Sequence, residues 1–462
     1  MSKPRNLALL TDLYELTMAQ SYFQHGMFAP ATFSLFIRRY PENRAYFVSA
    51  GLEDVLSYLE SFQFTQEDLD YLSSTGIFAQ EFLHYLSDLR FTGDVWAIPE
   101  GRLFFRDEPV LELTAPIIEA QIAETFIINQ INLQSIVATK ASRCLWAARG
   151  RPLMDFSLRR TQGIDAGMKV ARASYIAGFK STSNVLAGKV YGIPVAGTMA
   201  HSYVSSFESE IDAFRAFARS FPERSTLLID TYDTIQGAHN AAVVGRELQA
   251  LGQRLQGVRL DSGDMAQLSQ EVRKILDEAG LQDASIFASG SLDEFELEDL
   301  LHRGAKIDAF GVGTKMGVSA DAPWSDIAYK LVQYQGRPVL KLSQGKVSLP
   351  GEKQVHRVLD DDGNLSHDVI GLRDEEPPSG EPLLSQAMRK GKAIQPQPSL
   401  DEIRRTFADE FSRLPDGYKA LRHPPTYPVD VSQSLQEMYH RIESGQSIEK
   451  IPTVVKGKKS KS

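Results

Sequence analysis

Short apolar runs alternate with helical stretches between residues 150 and 315, and small or polar residues follow almost every run. This alternation is typical of a parallel sheet with helices packed outside it. A strand every 20 to 30 residues favours an irregular α/β barrel of about seven parallel strands, although a doubly wound open sheet stays possible. The predicted strands are PLMDF (152–156), SYIAGF (174–179), IPVAG (193–197), TLLID (226–230), GVRLD (257–261), SIFAS (285–289) and IDAFGVG (307–313).

The flanking segments have a different pattern. Residues 1–133 mix helical stretches, such as DLYELTMAQSYFQHG and LEDVLSYLESF, with strand-like runs, such as ATFSLFIRRY and PVLELTAP. Beyond residue 330, two hairpin-like segments turn at Gln335-Gly336 and at Asp362-Gly363. We therefore expect residues 1–133, completed by residues 330–462, to form a discontinuous α+β domain around a barrel of residues 134–329.

Length and composition fit a globular protein of two domains. The chain has 462 residues, of which 42% are hydrophobic and 24% are charged. Its single cysteine, Cys144, excludes a disulfide framework and any zinc site built from several cysteines. Cys144 lies in the apolar helical stretch KASRCLWAA, so we expect it to be buried and inert.

Charge and hydropathy limit the partners. A net charge of −9 argues against non-specific nucleic-acid binding, and the basic tail VVKGKKSKS (454–462) is interpreted as a solvated terminus. No run of 18 apolar residues is present, and the first 20 residues lack a signal-peptide pattern. We expect a cytoplasmic protein without a membrane span.

Two glycine-containing turns follow the last two predicted strands, FASGS and FGVGT. Small residues at such turns let backbone N–H groups approach an anion, and a helix that begins there adds unpaired donors. The alternative is that the glycines only permit tight turns. The candidate phosphate-binding residues are Ser289, Gly290, Ser291, Gly311, Gly313 and Thr314.

Charged residues end other strands. In RLDSGD, Arg259 is suited to an anionic group, and Asp261 to ribose hydroxyls or a metal, unless the turn is only a solvated ion pair. Asp230 ends TLLID and is suited to a metal or to a developing positive charge, whereas Asp233 is an equally good helix cap. Arg159 and Arg160 form another candidate anion site or a solvated pair.

His201, in GTMAHSYV, is a weaker candidate on local grounds, because a lone histidine is more often structural.

Lysines near strand ends leave another chemistry open. Lys180 and Lys315 each adjoin a predicted ligand turn, and either would suit a Schiff-base aldolase. An aldolase, however, would not use His201, RLDSGD and Tyr14 together.

Taken together, the motifs resemble the nicotinate phosphoribosyltransferase family, type II phosphoribosyltransferases of NAD synthesis. The resemblance covers nearly the whole chain, and the order and spacing of the motifs make it specific. The motifs are TDLYELTMAQ (11–20), DFSLRRTQG (155–163), GFKSTSNV (178–185), GTMAHSYV (197–204), LIDTYDT (228–234), RLDSGD (259–264), FASGSLDE, FGVGT, YKLV and GRPVLKLS.

The resemblance implies a TIM-like barrel and an ATP-coupled reaction. The family joins nicotinate to C1 of phosphoribosyl pyrophosphate, giving nicotinate mononucleotide and pyrophosphate, with Mg²⁺ as cofactor and ATP as co-substrate. By motif, Tyr14 and Phe156 resemble the aromatic pair that sandwiches the pyridine ring, with Tyr14 supplied by the other subunit of a homodimer. Thr198 and Arg259 match residues that contact nicotinate.

The remaining residues match parts of the family's phosphoribosyl site. The resemblance implies that Asp230 and Asp261 lie near ribose and Mg²⁺, and that His201 is the histidine that ATP phosphorylates. The glycine turns would bind the 5-phosphate, and Arg159 and Arg160 would bind phosphates or the carboxylate.

Substrate choice depends on one position. The related nicotinamide enzyme has an aspartate in the motif corresponding to FKSTSNV, and the aligned residue here is Ser183. An aspartate would repel the carboxylate of nicotinate, so Ser183 favours the acid. Quinolinate phosphoribosyltransferase, nicotinamide phosphoribosyltransferase and a catalytically silent phosphoribosyl-binding protein are the other readings.

Overall fold

The computed structural model describes residues 7–341, 348–376 and 380–445, and these contain α/β and antiparallel layers. The helices are α1 Leu13–Gln24, α2 Leu52–Ser61, α3 Gln66–Ser74, α4 Gln80–Asp88, α5 Ile117–Ile122, α6 Glu124–Ala147, α7 Ile164–Ile176, α8 Val185–Tyr191, α9 His201–Ser205, α10 Glu210–Ser220, α11 Thr234–Ala250, α12 Met265–Glu278, α13 Glu294–His302, α14 Thr314–Gly317, α15 Leu400–Arg413, α16 Asp416–Lys419 and α17 Gln433–Glu443. The strands are β1 Pro30–Ile37, β2 Phe47–Val48, β3 Asp94–Ala97, β4 Leu103–Phe104, β5 Leu111–Pro116, β6 Leu153–Asp155, β7 Ser181–Thr182, β8 Thr226–Leu228, β9 Gly257–Leu260, β10 Ser285–Ser289, β11 Ala309–Val312, β12 Ile327–Tyr334, β13 Arg337–Pro338, β14 Lys353–Leu359, β15 Leu365–Leu372, β16 Glu381–Pro382, β17 Ser385–Arg389, β18 Lys392–Ala393 and β19 Val429–Val431.

A six-stranded parallel sheet forms the centre of the middle segment, in the order β7-β6-β11-β10-β9-β8. In chain order, β6 is the first strand of this sheet and β11 is the last, and these two strands pair directly. Register places Phe287 beside Arg259 and Ser289 beside Gly311. Because all the strands run the same way, the residues that follow them meet at one edge of the sheet.

The strand predictions were right for five runs and wrong for two. SYIAGF is not a strand, because its first residues end α7, and Ala173, Ile176 and Phe179 are buried in the core. The strand in this region is β7, which has two polar residues and no apolar run. IPVAG is reduced to one bridge, between Val195 and Thr182. Within the described residues the parallel sheet thus has six strands rather than about seven.

Aspartates start the helices that follow β8, β9 and β10. Asp233 accepts a hydrogen bond from the Gln236 N–H at 2.8 Å, and Asp293 accepts one from the Phe295 N–H at 3.0 Å. Asp264 caps α12 in the same way. These caps satisfy free N–H groups at the helix starts, so the three aspartates have a structural role.

The antiparallel sheet combines both ends of the chain, in the order β13-β12-β1-β5-β3-β17-β18. A second sheet has the order β16-β14-β15-β19. The hairpins expected at Gln335-Gly336 and Asp362-Gly363 are confirmed by the pairs β12/β13 and β14/β15. The predicted boundary at residue 133 falls inside α6, and the division into domains stays a prediction.

Helix α6 joins two hydrophobic cores. Its first part, including Phe126 and Ile131, packs in the core of the antiparallel sheet, and its second part, including Val137 and Cys144, packs against the parallel sheet. Burial, followed by the charge of Glu294, raises the pKa of the Cys144 thiol. The expected packing role of Cys144 agrees with this environment.

Among the described residues, no helix combines the length and apolar character needed to cross a membrane. The basic tail 454–462 lies outside the described residues.

Candidate active site at the carboxyl ends of the parallel strands

Arg259, on β9, is the centre of a polar cluster. Its Nε donates to Ser289 Oγ at 2.7 Å, and its Nη1 donates to Thr198 Oγ1 at 3.0 Å and to the Met199 carbonyl at 3.1 Å. Its Nη2 donates to Asp261 Oδ1 at 2.6 Å. These four bonds fix the guanidinium, and since arginine has five N–H donors, one Nη2–H is left for a ligand.

Asp261 connects Arg259 to the next strand. The Ser289 hydroxyl donates to Asp261 Oδ1, the same oxygen that accepts from Arg259. Burial raises the pKa of the Asp261 carboxyl, but the bond from Ser289 and the charge of Arg259 outweigh it, so the pKa lies below its ordinary value. Asp261 is therefore a carboxylate with Oδ2 available at neutral pH.

Asp230 follows β8 and points one free oxygen into the structure. Its Oδ2 accepts from the Asp261 N–H at 2.8 Å and from the Ser262 hydroxyl at 2.7 Å. Its Oδ1 is buried and has no hydrogen-bond partner among the described residues. A buried carboxylate oxygen without a donor is costly, so this atom is suited to a cation or a ligand hydroxyl.

His201 belongs to the same cluster. It starts α9, and its Nδ1 lies 3.2 Å from Thr231 Oγ1, while its Nε2 lies 3.7 Å from Asp261 Oδ2. The side chain is 45% exposed, so a large ligand can reach the ring. Sequence reasoning missed Thr231, although it lies in the DTYDT segment that was singled out for Asp230.

Phe156, which follows β6, covers one side of the cluster. Its ring centroid lies 5.7 Å from the Arg259 guanidinium carbon and 5.6 Å from the Phe287 ring. A Cβ on Gly311 would lie 2.7 Å from the Phe156 ring, and one on Gly313 would lie 2.9 Å from the Phe156 carbonyl oxygen. Both glycines therefore make room for Phe156.

The turn after β10 requires a left-handed backbone. Gly290 has φ +100° and Ser291 has φ +53°. A Cβ on Gly290 would lie 2.1 Å from the Asp261 carbonyl oxygen, so the turn packs directly against RLDSGD. Gly313 and Thr314 start α14 after the neighbouring strand, β11. The two predicted phosphate turns thus lie at the ends of paired strands.

Asp155 is a buried residue that sequence reasoning missed. Its carboxylate accepts from the Ser157 N–H at 2.9 Å and from the Thr182 hydroxyl at 2.7 Å. Its carbonyl oxygen accepts from the Ser183 N–H at 2.8 Å. Asp155 therefore connects the ends of β6 and β7 and positions Phe156 relative to Ser183. The sequence could have indicated this role, because Asp155 directly precedes Phe156 in DFSLRR.

Comparison with known proteins identifies the family. Residues 9–132 match the nicotinate phosphoribosyltransferase N-terminal domain, residues 152–361 the nicotinate phosphoribosyltransferase family, and residues 379–439 the nicotinate phosphoribosyltransferase C-terminal domain. A nicotinate phosphoribosyltransferase of Mycobacterium tuberculosis is 48% identical over 449 residues, which cover 96% of each chain. The chain belongs to the nicotinate phosphoribosyltransferase family.

Other members of the nicotinate phosphoribosyltransferase family are similar over most of the chain. The Bacillus subtilis enzyme is 38% identical, with 96% of this chain and 98% of that protein covered. The crystal structure of human nicotinic acid phosphoribosyltransferase superposes with a TM-score of 0.84 at 32% identity and covers 94% of this chain and 99% of that one.

Some residues that the nicotinate phosphoribosyltransferase motifs assign to the site lie apart from the Arg259 cluster. Tyr14 lies on α1, which packs against α5, and the Tyr14 side chain is 47% exposed. Arg159 and Arg160 lie in an exposed 3-10 turn, Leu158–Arg160, and have no ion-pair partner among the described residues. Their predicted ligand contacts stay predictions.

Lys315 argues against the aldolase reading. Its Nζ donates to Glu296 Oε1 at 2.6 Å. Burial lowers the pKa of this ammonium, but Glu296 and Asp293 outweigh burial, so the pKa is raised. A Schiff-base lysine requires a lowered pKa, and family membership excludes this reading as well.

Proposed function

We propose that this chain transfers the phosphoribosyl group of phosphoribosyl pyrophosphate to the ring nitrogen of nicotinate, giving nicotinate mononucleotide and pyrophosphate in NAD biosynthesis. The observation that carries the proposal is the Arg259 guanidinium, fixed by four hydrogen bonds beside the Phe156 ring. A fixed guanidinium with one free N–H suits a carboxylate, and the aromatic ring suits a pyridine. Relatives named nicotinate phosphoribosyltransferase support the same substrate.

The two carboxylates suit the chemistry at C1. The bond from C1 to the pyrophosphate oxygen breaks as the bond from the ring nitrogen to C1 forms, so positive charge develops on the sugar. Asp261 and Asp230 belong to the same cluster, since the Asp261 N–H donates to Asp230 Oδ2, and Asp261 Oδ2 and the unpartnered Asp230 Oδ1 would stabilise that charge. Arg259 would hold the nicotinate carboxylate and thereby orient the ring nitrogen.

Asp230 and Asp261 also fit Mg²⁺. The free Oδ1 of Asp230 and the Oδ2 of Asp261 supply the oxygen ligands that this ion prefers, and no group of three or more His, Cys, Asp or Glu side chains among the described residues forms a complete metal cage. Such partial coordination suits an ion that shares its other ligands with substrate phosphates and water. Bound there, Mg²⁺ would neutralise charge on the departing pyrophosphate.

The turns Ser289-Gly290-Ser291 and Gly311–Thr314 would bind the 5-phosphate through backbone N–H groups and the Thr314 hydroxyl. The left-handed backbone at Gly290 and the pairing of β10 with β11 support this assignment. The Ser289 hydroxyl is used by Asp261, so it is not available to bind phosphate. Arg159 and Arg160 would bind the pyrophosphate or the nicotinate carboxylate.

ATP would act through His201. The exposed ring lies between Thr231 and Asp261, so a phosphoryl group on it would lie beside the proposed pyrophosphate site. An imidazole nitrogen would form a bond to the γ-phosphorus of ATP as the bond to the bridging oxygen breaks, which releases ADP. Water would later hydrolyse the phosphohistidine to phosphate.

We expect His201→Ala to lose ATP stimulation while it keeps ATP-independent transfer. Initial rates with and without ATP, together with ³²P labelling from γ-labelled ATP, measure both properties. Unchanged stimulation or labelling would contradict the assignment.

A homodimer would complete the site. Exposed apolar side chains are close to Tyr14 in the sequence, namely Leu7, Leu10 and Leu13, and others follow β6 or β7 in the chain, namely Leu158, Ile164, Val185, Leu186 and Val190. Pairing of two copies would bury both sets and bring Tyr14 of one copy to Phe156 of the other.

Complementation tests the shared site. Tyr14→Ala and Arg259→Met are each expected to be inactive alone, whereas mixed dimers regain one intact site and therefore activity. Light scattering reports the dimer directly. A monomer, or mixed dimers without regained activity, would contradict the shared site.

We also propose that the parallel sheet curves into an incomplete TIM-like barrel in a cytoplasmic enzyme that binds no nucleic acid. The pairing of β6 with β11 supports the barrel, because the first and last strands of a barrel are neighbours. The open side lies between Val195 and β8. The single cysteine and the net charge of −9 support the location and the absence of nucleic acid.

A single assay tests the function. The protein is incubated with phosphoribosyl pyrophosphate, Mg²⁺ and nicotinate, nicotinamide or quinolinate, with and without ATP, and the product is identified by mass spectrometry. We expect nicotinate mononucleotide, because Ser183 stands where an aspartate would favour the amide. A preference for nicotinamide or quinolinate would contradict the proposal.

A further inference from the structure

A buried ion network lies behind the two glycine-containing turns. Lys140, on α6, is buried, and its Nζ lies 2.5 Å from Glu294 Oε2, 2.7 Å from Asp321 Oδ1 and 3.7 Å from Asp293 Oδ2. Asp293 and Glu294 start α13, just after the turn that follows β10. Asp321 comes after α14, which follows the turn after β11. Lys140 therefore connects the segments behind both turns.

Lys315 connects the same two segments from the outer side. It directly follows Thr314 in α14, and its Nζ donates to Glu296 Oε1 at 2.6 Å and lies 3.6 Å from Asp293 Oδ2. Glu296 is in the first turn of α13. The ammonium is thus held by the acids of α13, and the Lys315 side chain is 34% exposed.

We propose that Lys315 is a positioning residue that aligns the turn after β10 with the turn after β11, so that both bind one phosphate monoester. Backbone N–H groups from two separate turns converge on one anion only if the turns keep a fixed separation, and small displacements weaken such a site strongly. The ion pair of Lys315 with Glu296 is the tie nearest to Thr314. This inference rests on the proposed function, which assigns the 5-phosphate to these turns.

Two ligands isolate the phosphate contribution. Nicotinate mononucleotide and nicotinate riboside differ only in the 5-phosphate, so the ratio of their dissociation constants, measured by calorimetry, reports phosphate binding. We expect the wild-type protein to prefer the mononucleotide, and Lys315→Met to reduce that preference about fivefold through weaker mononucleotide binding alone. Lys315→Arg is expected to keep it.

Glu296→Gln separates positioning from direct contact. If Lys315 acts through α13, removing the charge of Glu296 lowers the preference as Lys315→Met does, and the double variant is no worse than either single variant. If Lys315 bound the phosphate itself, freeing it from Glu296 would keep or raise the preference, which would overturn the proposal.

Arg215→Met is the matched control. Arg215 on α10 pairs with Glu247 on α11 at 2.6 Å, an equivalent tie between neighbouring helices away from the turns, and its loss is expected to leave the ratio unchanged. A wild-type protein without preference for the mononucleotide would contradict the proposed function. If Lys315→Met and Glu296→Gln both keep the wild-type preference for the mononucleotide, the positioning role is overturned. Thermal unfolding verifies that each variant is folded, and if Lys315→Met does not fold, Glu296→Gln decides alone.

Discussion

Two arginine-centred networks differ in one respect that separates function from stability. Arg259 lies at the ends of the parallel strands, and Arg357 lies where β14 meets β15 and α15. Arg259 contacts one carboxylate and Arg357 contacts two. Each guanidinium lies near an aromatic ring, at 5.7 Å from Phe156 and at 5.3 Å from Phe105 respectively. The Arg259 side chain is 14% exposed, whereas that of Arg357 is 1% exposed.

The Arg357 network is closed. Arg357 donates to both oxygens of Asp368, at 3.1 and 2.6 Å, and to Glu410 at 2.5 Å. The Tyr427 hydroxyl donates to Asp368 at 3.3 Å. All four side chains are buried and out of reach of a ligand. Arg102 also donates to Glu410 Oε1 at 2.8 Å, so two arginines balance the two carboxylates.

The Arg259 network is open. Asp230 Oδ1 has no hydrogen-bond partner among the described residues, one N–H of Arg259 is unused, and the ring of His201 is exposed. The same residue types therefore stabilise the fold where they are fully buried, as around Arg357, and they form a site where a ligand can reach them, as around Arg259.

Removing the open arginine should have the largest effect on activity. Arg259→Met deletes the proposed carboxylate ligand, so we expect kcat/KM for nicotinate to fall by about 10³-fold. Asp261 is partly exposed and can be hydrated in the variant, so the Tm should change by only a few degrees. Steady-state kinetics and calorimetry measure the two effects, and a loss of less than tenfold would count against the site.

Removing the closed arginine should have the opposite result. Arg357→Met leaves Asp368 buried without its cation and Glu410 with Arg102 alone, and breaking such a buried pair costs about 3–5 kcal/mol of unfolding free energy. The molecules that stay folded should keep wild-type KM values. Urea denaturation and kinetics per folded molecule test this, and an unchanged denaturation midpoint would show that the network does not stabilise the fold.

The sequence allowed prediction of the open network because its members follow apolar strands. Asp261 and Ser289 each end a run with a clear strand pattern, Arg259 lies two residues before the end of one, and parallel strands bring such ends together. The contacts of the Ser289 hydroxyl with Arg259 and Asp261 were not predicted, and the phosphate contact of Ser289 stays a prediction. Contacts between strand ends depend on register, which the local pattern does not contain.

The closed network was not predicted, because no local pattern marks it. Arg357, Asp368 and Glu410 come from separate elements, and only the tertiary fold makes their charges neighbours. The wrong strand at SYIAGF has a related cause. A short apolar run is compatible with a strand and with the buried face of a helix, and packing of Ile176 and Phe179 in the core decided for the helix end.

A smaller effect is expected where Phe156 covers the open network. The added Cβ of Gly311→Ala would lie 2.7 Å from the Phe156 ring and 2.9 Å from the Phe287 ring, so at least one ring must move. We expect KM for nicotinate to rise about tenfold, since overpacking of this kind costs about 1–3 kcal/mol.

Gly417→Ala is the control for Gly311→Ala, because the nearest atom to its Cβ would be 3.9 Å away. A variant of Gly311 with unchanged KM for nicotinate would place the pyridine away from Phe156.

The smallest expected effect is on the pH dependence of stability, and the direction of this dependence differs between the two networks. In the open network, the pKa of Asp261 is lowered despite burial, chiefly by Ser289 and Arg259. Its contribution to stability is therefore present above its ordinary pKa and is lost as the pH falls through the lowered value. Glu108 lies beside the closed network, where burial and then the charge of Asp368 raise its pKa well above the ordinary value.

Glu108→Gln isolates the closed side of this contrast. With a raised pKa, Glu108 stabilises the fold below its ordinary pKa, and that contribution is lost as the pH rises through the raised value, because ionisation leaves a charge beside Asp368. Glutamine stays neutral and still offers an oxygen to the Phe105 N–H, which binds Glu108 Oε2 at 2.8 Å. The urea midpoints of the wild-type protein and Glu108→Gln should therefore differ little at pH 5, whereas the variant should have the higher midpoint at pH 9. If the difference between the two midpoints is the same at both pH values, Glu108 is ionised throughout and its pKa is not raised.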